Sequence, residues 1–424
     1  MTPPIQTYFL SGGIKLSFTD SGAPPGSSNY TTVILLHGGA FNAYGFQKIP
    51  AYDHGLNLRT VLLRRRDYAG STPYTPSEIA ELEQGDIIFW ERLSAQLGEF
   101  LKMFIERERI PKLFSGKRPS SFSQIDGRKG SRSGGVAILG WSGGCLPIVS
   151  FLGATQNRMF SEEQYNFLVE YIGDCILYGE VIYLPLQQGR CLIVLLDPSY
   201  HCFGYSLPPD NRNYIPWEDT ASSPEEFFHA FSQWVSSYYD HPCYDPVNRR
   251  LQTTASINDL DGCRHKSDEI SVSSWTHEDI IKGIEERPAK NEISTFLPEV
   301  QRCLRVLTDR ALFDEKSVRY WFPDVEVTHI GGTRSNWICA WAMIETKKRY
   351  LQHRSTSCGS QSQNQAGDAD IRSGGRRIRF FDMDGANHFA IRVTETSIQA
   401  HWDRAEDLMQ LVAEAIQSHG HWLN

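Results

Sequence analysis

Residues 140–144 constrain the fold of this chain more than any other stretch. They read Gly-Trp-Ser-Gly-Gly and directly follow the apolar run Val136–Leu139. A serine on a sharp turn between a strand and a helix needs small neighbours, because the strained backbone leaves no room for side chains and the hydroxyl must project outward. The stretch therefore predicts a nucleophile elbow with Ser142 as the nucleophile.

Two glycine-bearing stretches offer backbone N–H groups to such a serine. Gly143 follows it at the start of the predicted helix, where the helix dipole favours negative charge. The second stretch follows the buried strand Thr32–Leu36 and reads His-Gly-Gly-Ala at 37–40. Glycines there let N–H groups approach a substrate oxygen closely, although a plain turn would use glycines too. We expect an oxyanion hole formed by Gly39, Ala40 and Gly143.

His388 is the candidate base. A serine hydroxyl is a weak nucleophile until a base accepts its proton, and histidine does this near neutral pH. His388 follows the last predicted strand, Ile378–Phe381, in a turn that also contains Gly385 and Asn387. The carboxyl ends of parallel strands meet at one edge of a sheet, so we expect His388 to lie near Ser142.

The histidine also needs a carboxylate to fix its tautomer, and the sequence leaves this choice open. No carboxylate follows Ile330, at the end of the penultimate strand, before Glu345, whereas Asp197 directly follows the strand Cys191–Leu196. We therefore predict Asp197 as the acid. The competing candidates are Glu180, Asp324 and Asp384.

Strand and helix patterns alternate along much of the chain, which is typical of an α/β protein. A hairpin, Tyr8–Leu10 with Ile14–Phe18, precedes the buried strands, and the pattern of residues 81–107 predicts one helix. The last predicted helix covers 397–418. We predict a hydrolase core over 1–200 and 321–424, a cap over 201–320, and flexible stretches at 111–135, 249–273 and 352–375.

The predicted cap contains a helix that begins after Ser223 and has four aromatic side chains along one face. A capping serine, a proline at the first helical position and a glutamate in the first turn mark its start. Such a helix fits a lid over a pocket, and it fits equally well packing against the main domain. The four aromatic residues are Phe227, Phe231, Trp234 and Tyr238.

Composition excludes several classes of function. The 424 residues carry a formal charge of −8, so no nucleic-acid surface is expected. No apolar stretch reaches the roughly 20 residues of a membrane span, and the first residues lack a signal-peptide pattern, so we expect a cytoplasmic protein. The nine cysteines lack a C-x-x-C pair, and no phosphate-binding loop occurs. We expect reduced thiols and no cofactor or metal; the sequence leaves the oligomeric state open.

Four motifs occur in an order that resembles the α/β-hydrolase superfamily, in its serine-nucleophile branch. They are His37–Gly39, Arg66–Ser71, Gly140–Gly144 and Gly385–Phe389. The resemblance implies a mostly parallel sheet with helices on both faces and an inserted helical cap, with Ser142 as nucleophile, His388 as base, and the Gly39, Ala40 and Gly143 amides as the oxyanion hole. Residues 64–71 resemble the family's structural loop near the pocket, and we assign them no chemistry.

The resulting hypothesis is a serine hydrolase that cleaves a small-molecule ester or thioester through an acyl-enzyme. A serine at the elbow argues against the dehalogenase and epoxide hydrolase branches, which need a carboxylate there. Trp141, beside the nucleophile, and the aromatic helix point to an apolar or aromatic acyl group, with Trp141 in the substrate pocket. The alternatives are a non-catalytic binding protein of the same fold, and a lyase or acyltransferase that uses the same serine.

Overall fold

The computed structural model describes residues 3–113, 134–154, 160–172, 192–218, 224–264, 270–358, 375–389 and 405–417. Within these residues the chain forms one large sheet, one two-stranded ribbon and a series of helices. The strands are β1 (Gln6–Phe9), β2 (Lys15–Asp20), β3 (Thr31–Leu36), β4 (Leu58–Leu63), β5 (Val136–Trp141), β6 (Leu192–Leu196), β7 (Tyr244–Asp245), β8 (Arg250–Leu251), β9 (Glu326–Gly332) and β10 (Ile378–Met383).

The large sheet has the order β1-β2-β4-β3-β5-β6-β9-β10. β1 and β2 form the predicted antiparallel hairpin, and β2 pairs antiparallel with β4. Every other pairing is parallel. The prediction of a mostly parallel central sheet is therefore confirmed, and the carboxyl ends of β3, β5, β6, β9 and β10 share one edge.

Helices cover the sheet on both faces. Every residue of β3, β4 and β5 is buried, which explains why apolar residues predominate in their sequences. Ile87–Glu108 packs against Cys145–Gly153, whereas Ala405–Gln417 packs against β6 and the turns near residues 49–56. The α-helices in the described ranges are Pro76–Glu83, Ile87–Glu108, Cys145–Gly153, Glu162–Ile172, Pro224–Ser236, His277–Gly283, Glu286–Ile293, Pro298–Thr308, Glu315–Tyr320, Trp337–Cys358 and Ala405–Gln417.

The single helix predicted over 81–107 is wrong, because two helices occupy this region. Gly85 adopts a φ of +67°, and a β-carbon there would lie 2.4 Å from the backbone oxygen of Glu299. Asp86 then starts the second helix by accepting a hydrogen bond from the Ile88 N–H at 2.9 Å. The turn between the helices thus follows from a close backbone approach and a cap.

Residues 197–325 form a long insertion between the adjacent strands β6 and β9. It contains five of the described helices and the β7–β8 ribbon. That residues 201–320 of this insertion form a separate cap remains a proposal. The flexibility expected at 249–273 also remains a prediction, although β8 and the 3-10 helix Ile257–Asp259 lie within that stretch.

Some predicted segments lie partly outside the described residues. They are most of 111–135, most of 352–375, and residues 397–404 and 418 of the last predicted helix. The remaining part of that predicted helix, Ala405–Gln417, is helical. In the part of the chain that the structure describes, no helix combines the length and apolar character that crossing a membrane requires.

Candidate active site

Ser142 lies at the end of β5 in a turn that admits only small residues. Its φ is +52°, and the 3-10 turn Ser142–Gly144 leads into the helix Cys145–Gly153. A β-carbon at position 140 would lie 2.6 Å from the Gly144 oxygen, and one at 144 would lie 2.2 Å from the Leu36 oxygen. The strained, partly exposed serine therefore has the geometry of a nucleophile elbow.

His388 follows β10 and is fixed by contacts on several sides. Its Nδ1 lies 2.6 Å from Asp197 Oδ2, and both side chains are 2% exposed. The Trp141 indole N–H donates to the His388 carbonyl oxygen at 3.1 Å, and the two rings lie 5.2 Å apart. The preceding Asn387 donates to the carbonyl oxygen of Ser236, in the insertion, at 2.6 Å.

Asp197 is the first residue after β6, and the end of β9 supplies donors to its carboxylate. Its φ is +43°. Oδ1 accepts the Gly332 N–H at 3.1 Å, and Oδ2 accepts the Ser335 hydroxyl at 2.7 Å. The end of β9 and the turn after it, which contains no carboxylate, thus donate hydrogen bonds to the carboxylate that follows the neighbouring strand β6.

The structure does not bring the described competing carboxylates to His388. Asp384 accepts the Tyr244 hydroxyl at 2.6 Å and lies near the guanidinium of Arg249. Asp324 precedes β9 and so lies at the opposite end of that strand from Gly332. Glu180 lies outside the described residues.

The loop after β3 packs directly on the elbow. A β-carbon at Gly38 would lie 3.0 Å from the Trp141 ring and 3.2 Å from the Ser142 β-carbon. A β-carbon at Gly143 would lie 3.1 Å from the Gly39 nitrogen. Ala40 has a φ of +62°. The three predicted oxyanion residues, Gly39, Ala40 and Gly143, line one cavity together with Ser142 and His388.

This cavity encloses about 730 Å³, including its opening to solvent, and its walls are largely apolar, with several aromatic side chains. Two of the four aromatic residues predicted on the lid face, Phe227 and Phe231, line it, whereas Trp234 packs against Trp217 and Tyr214. The helix Pro224–Ser236 therefore both borders the cavity and packs against other parts of the protein. The aromatic lining residues are Phe41, Trp217, Phe227, Phe228, Phe231 and Phe296.

The sheet and the elbow together decide the architecture. Ser142, Asp197 and His388 follow β5, β6 and β10 in that chain order, and the serine sits between a strand and a helix. The chain has an α/β-hydrolase fold. No family model and no curated protein matches the sequence.

Solved structures of low similarity include hydrolases. The chain is similar to an esterase from Exiguobacterium antarcticum, with 12% identity, 97% and 98% of the two chains covered, and a TM-score of 0.44. A Rhodococcus esterase matches with 13% identity, 98% of each chain and a TM-score of 0.41. An epoxide hydrolase from Vigna radiata matches with 13% identity, 97% of each chain and a TM-score of 0.44. Because these TM-scores are low, the α/β-hydrolase assignment depends on the sheet order and the elbow.

Trp141 lies beneath the site and not in the pocket, which corrects the sequence-based expectation. Its side chain is 1% exposed and does not line the cavity. It packs against Phe41, Phe46 and Phe389 and donates to the His388 carbonyl. Its contribution to this candidate site is to support the histidine.

Cys339 borders the site without having been predicted. Its Sγ lies 3.5 Å from His388 Nδ1, and the donor atoms of Cys339, His388 and Asp197 all lie within 4.8 Å of one another. Burial, reinforced by Asp197, raises the pKa of the thiol well above its usual value. The Asp197 and His388 atoms of this group are hydrogen-bonded to each other at 2.6 Å.

His201 and Glu292 also line the cavity, and sequence reasoning missed both. Burial lowers the pKa of His201 to about 3, so its imidazole is neutral, and its Nδ1 lies 2.9 Å from the Ser199 hydroxyl. Glu292 forms an ion pair with Arg65 at 2.6 Å. Neither residue lies in one of the four sequence motifs, since both belong to the insertion between β6 and β9.

Proposed function

We propose that the protein is a serine hydrolase that cleaves a carboxylic ester or thioester. The observation that carries this proposal is the 2.6 Å contact between Asp197 and His388 at the wall of the cavity that Ser142 also lines. A nucleophile, a base and an acid that orients the base are the groups this reaction needs.

In the proposed reaction, Ser142 Oγ attacks the carbonyl carbon while His388 Nε2 accepts its proton. Asp197 holds the proton on Nδ1 and stabilises the imidazolium that forms. The tetrahedral intermediate collapses when His388 passes its proton to the departing alcohol or thiol, which leaves an ester on Ser142. Water, activated by the same histidine, then attacks the acyl-enzyme, and the acid product leaves.

The oxyanion of each tetrahedral intermediate needs donors fixed in advance. The Gly143 N–H and an N–H from Gly39 or Ala40 border the cavity next to Ser142. Loss of one such donor would raise the barrier by about 3 kcal/mol. The close packing of the two glycine-bearing loops supports this assignment.

The walls of the cavity favour an apolar or aromatic substrate. Six aromatic side chains line it, and the neutral imidazole of His201 adds a polar group without adding charge. Burial of an aromatic acyl group against these walls would contribute binding free energy through the hydrophobic effect. We therefore propose a small-molecule ester with an aromatic or bulky apolar acyl part.

Labelling with a fluorophosphonate tests the proposal. The wild-type protein should become covalently labelled at Ser142, as read by mass spectrometry of the peptide, and Ser142→Ala should not. Ser273→Ala, which removes an exposed serine hydroxyl, should label like wild type. A folded wild-type protein that resists labelling and hydrolyses no aryl ester would favour the non-catalytic alternative, and acyl transfer to added alcohol in preference to water would favour an acyltransferase.

A further inference from the structure

A buried ion pair lies directly behind the proposed oxyanion loop. Arg65, from the loop to which no chemistry was assigned, pairs through Nη1 with Glu292 Oε1 at 2.6 Å. The Tyr68 hydroxyl donates to Glu292 Oε2 at 2.8 Å. Arg65 and Tyr68 are buried, and the Glu292 side chain, on the helix Glu286–Ile293, is 18% exposed.

These three side chains contact the backbone of residues 38–39. Arg65 Nη2 donates to the Gly38 oxygen at 2.8 Å, and the Tyr68 hydroxyl lies 3.4 Å from the same oxygen. A β-carbon at Gly39 would lie 2.9 Å from Glu292 Oε2. The Gly38 oxygen is therefore bound by the Arg65 guanidinium next to the Tyr68 hydroxyl, and the Glu292 carboxylate lies beside Gly39.

The insertion also pairs with the oxyanion loop through its backbone. The Glu285 N–H donates to the Ala40 oxygen at 2.9 Å, and the Asn42 N–H donates to the Gly283 oxygen at 2.9 Å. Phe41 and Ile284 form the antiparallel bridge between these bonds. The position of Glu292 and the conformation of residues 39–41 are thus linked through one short segment of the insertion.

The charge of Glu292 matters because it lines the catalytic cavity beside Gly39. Negative charge develops on the substrate oxygen at this place during the proposed reaction. An unpaired carboxylate there would repel that charge strongly, since little water screens it. Arg65 cancels the carboxylate charge and binds the loop with the same guanidinium.

We propose that Arg65, Tyr68 and Glu292 are positioning residues that hold the Gly39 N–H beside the Gly143 N–H and keep the surroundings of the oxyanion hole electrically neutral. The inference rests on the proposed function, because it concerns the same reaction site. It predicts that disturbing the three side chains weakens binding of the tetrahedral state more than binding of the substrate.

Tyr68→Phe is the mildest test, because it removes only one hydroxyl. We expect kcat for p-nitrophenyl benzoate to fall about tenfold with KM within about twofold, since a donor that positions the hole acts mainly in the transition state. The Ki of phenylboronic acid, which forms a tetrahedral adduct with the serine, should rise by a similar factor. The control is Tyr205→Phe, since the buried Tyr205 hydroxyl lies 2.9 Å from the Thr346 hydroxyl and Tyr205 does not line the cavity.

Arg65→Met and Arg65→Met/Glu292→Gln test the charge. The single variant leaves a carboxylate beside the hole, so kcat should fall by about 10²- to 10³-fold. The double variant removes both charges, so its kcat should be at least about tenfold higher than that of Arg65→Met.

Several results would overturn the inference. A double variant with a kcat no higher than that of Arg65→Met would contradict the claim that Arg65 neutralises the Glu292 charge beside the oxyanion hole. An unchanged kcat and an unchanged boronate Ki in Tyr68→Phe would contradict the claim that these side chains position the Gly39 N–H. If Arg65→Met does not fold, the result for Tyr68→Phe alone tests the inference. If the kcat values of these variants equal that of the wild type, and the wild-type activity requires Ser142, the inference is wrong but the proposed function stands. A folded wild type that neither reacts with fluorophosphonate nor hydrolyses ester would contradict the proposed function itself.

Discussion

The proposed acid occupies a site that supplies its carboxylate with several hydrogen-bond partners. Asp197 accepts hydrogen bonds from Gly332 and Ser335 while one oxygen contacts His388 Nδ1. Donors of this kind satisfy a buried carboxylate and fix its orientation. They therefore fix the imidazole ring and its tautomer as well.

Asp197→Asn should reduce kcat on the order of 10³- to 10⁴-fold, because an amide no longer selects the productive histidine tautomer. KM should change little. Steady-state hydrolysis of p-nitrophenyl acetate measures both constants, with Asp384→Asn as the matched control, since Asp384 binds the Tyr244 hydroxyl and not His388. If Asp384→Asn lost the activity and Asp197→Asn kept it, the assignment of the acid would be reversed.

Sequence reasoning selected candidate site residues where each follows a strand. Ser142, Asp197 and His388 all do so, and parallel strands bring such positions to one edge. It misplaced Trp141 because side chains alternate between the two faces of a strand, so a neighbour in sequence need not face the same cavity. Arg65 and Glu292 could not be paired, since no local pattern relates positions so distant in sequence.

At the level of elements, the strand-to-helix turn of the elbow depends on the absence of side chains. Gly140 and Gly144 both approach backbone oxygens too closely for a β-carbon. The loop after β3 fits against this turn, as the position of Gly143 beside the Gly39 nitrogen indicates. The turn and the loop after β3 therefore fold as one interlocked unit.

Gly144→Ala should destabilise the protein by about 2 to 3 kcal/mol, because its methyl group would meet the Leu36 oxygen at 2.2 Å and force the two loops apart. Urea denaturation measures the free energy of unfolding, and fluorophosphonate labelling should slow in parallel. Gly55→Ala is the control, since no atom lies within 4 Å of its added carbon. Equal stability of the two variants would contradict this account of the elbow.

The aromatic helix of the insertion provides a prediction about selectivity. Phe231→Ala should lower kcat/KM for p-nitrophenyl benzoate about tenfold, because the acyl ring loses apolar contact area in the cavity. The value for p-nitrophenyl acetate should stay within about twofold. Phe9→Ala removes a 69% exposed ring from β1 and should leave both values unchanged; a uniform loss for both esters in Phe231→Ala would argue against a role in selectivity.

The elements themselves were predictable to different degrees. Buried parallel strands have largely apolar sequences without polar alternation, so β3 and β5 were evident. The break between the helices Pro76–Glu83 and Ile87–Glu108 was missed, because Gly85 is required there by an approach to Glu299, which is distant in sequence. Tertiary contacts of this kind leave little trace in local periodicity.

For the molecule as a whole, folding places several histidines where they cannot easily gain a proton. Burial lowers the pKa values of His37, His201, His241 and His329, and His201 and His329 fall to about 3. For His329, the charge of Lys347 adds to the effect of burial. His329 also has no hydrogen-bond partner on either ring nitrogen among the described residues.

These shifts predict that the protein loses stability in mild acid. An unfolded imidazole binds a proton as pH falls through about 6.5, whereas folded His329 binds one only near 3, so stability is complete above 6.5 and declines below it. The decline from this residue alone should reach about 2 kcal/mol at pH 5. Carboxylates with lowered pKa values, such as Glu78, titrate below this window and add little.

His329→Leu should therefore lose about 2 kcal/mol less than wild type when the pH is lowered from 7.5 to 5, because leucine has no proton to gain. Urea denaturation gives the free energy of unfolding of each protein at the two pH values. Comparing the pH-dependent change in the variant with that in wild type cancels any effect of the substitution on packing that is independent of pH. His277→Leu, at an exposed histidine, should keep the wild-type dependence. If His329→Leu declined as steeply as wild type, the acid sensitivity would have to come from the other buried histidines.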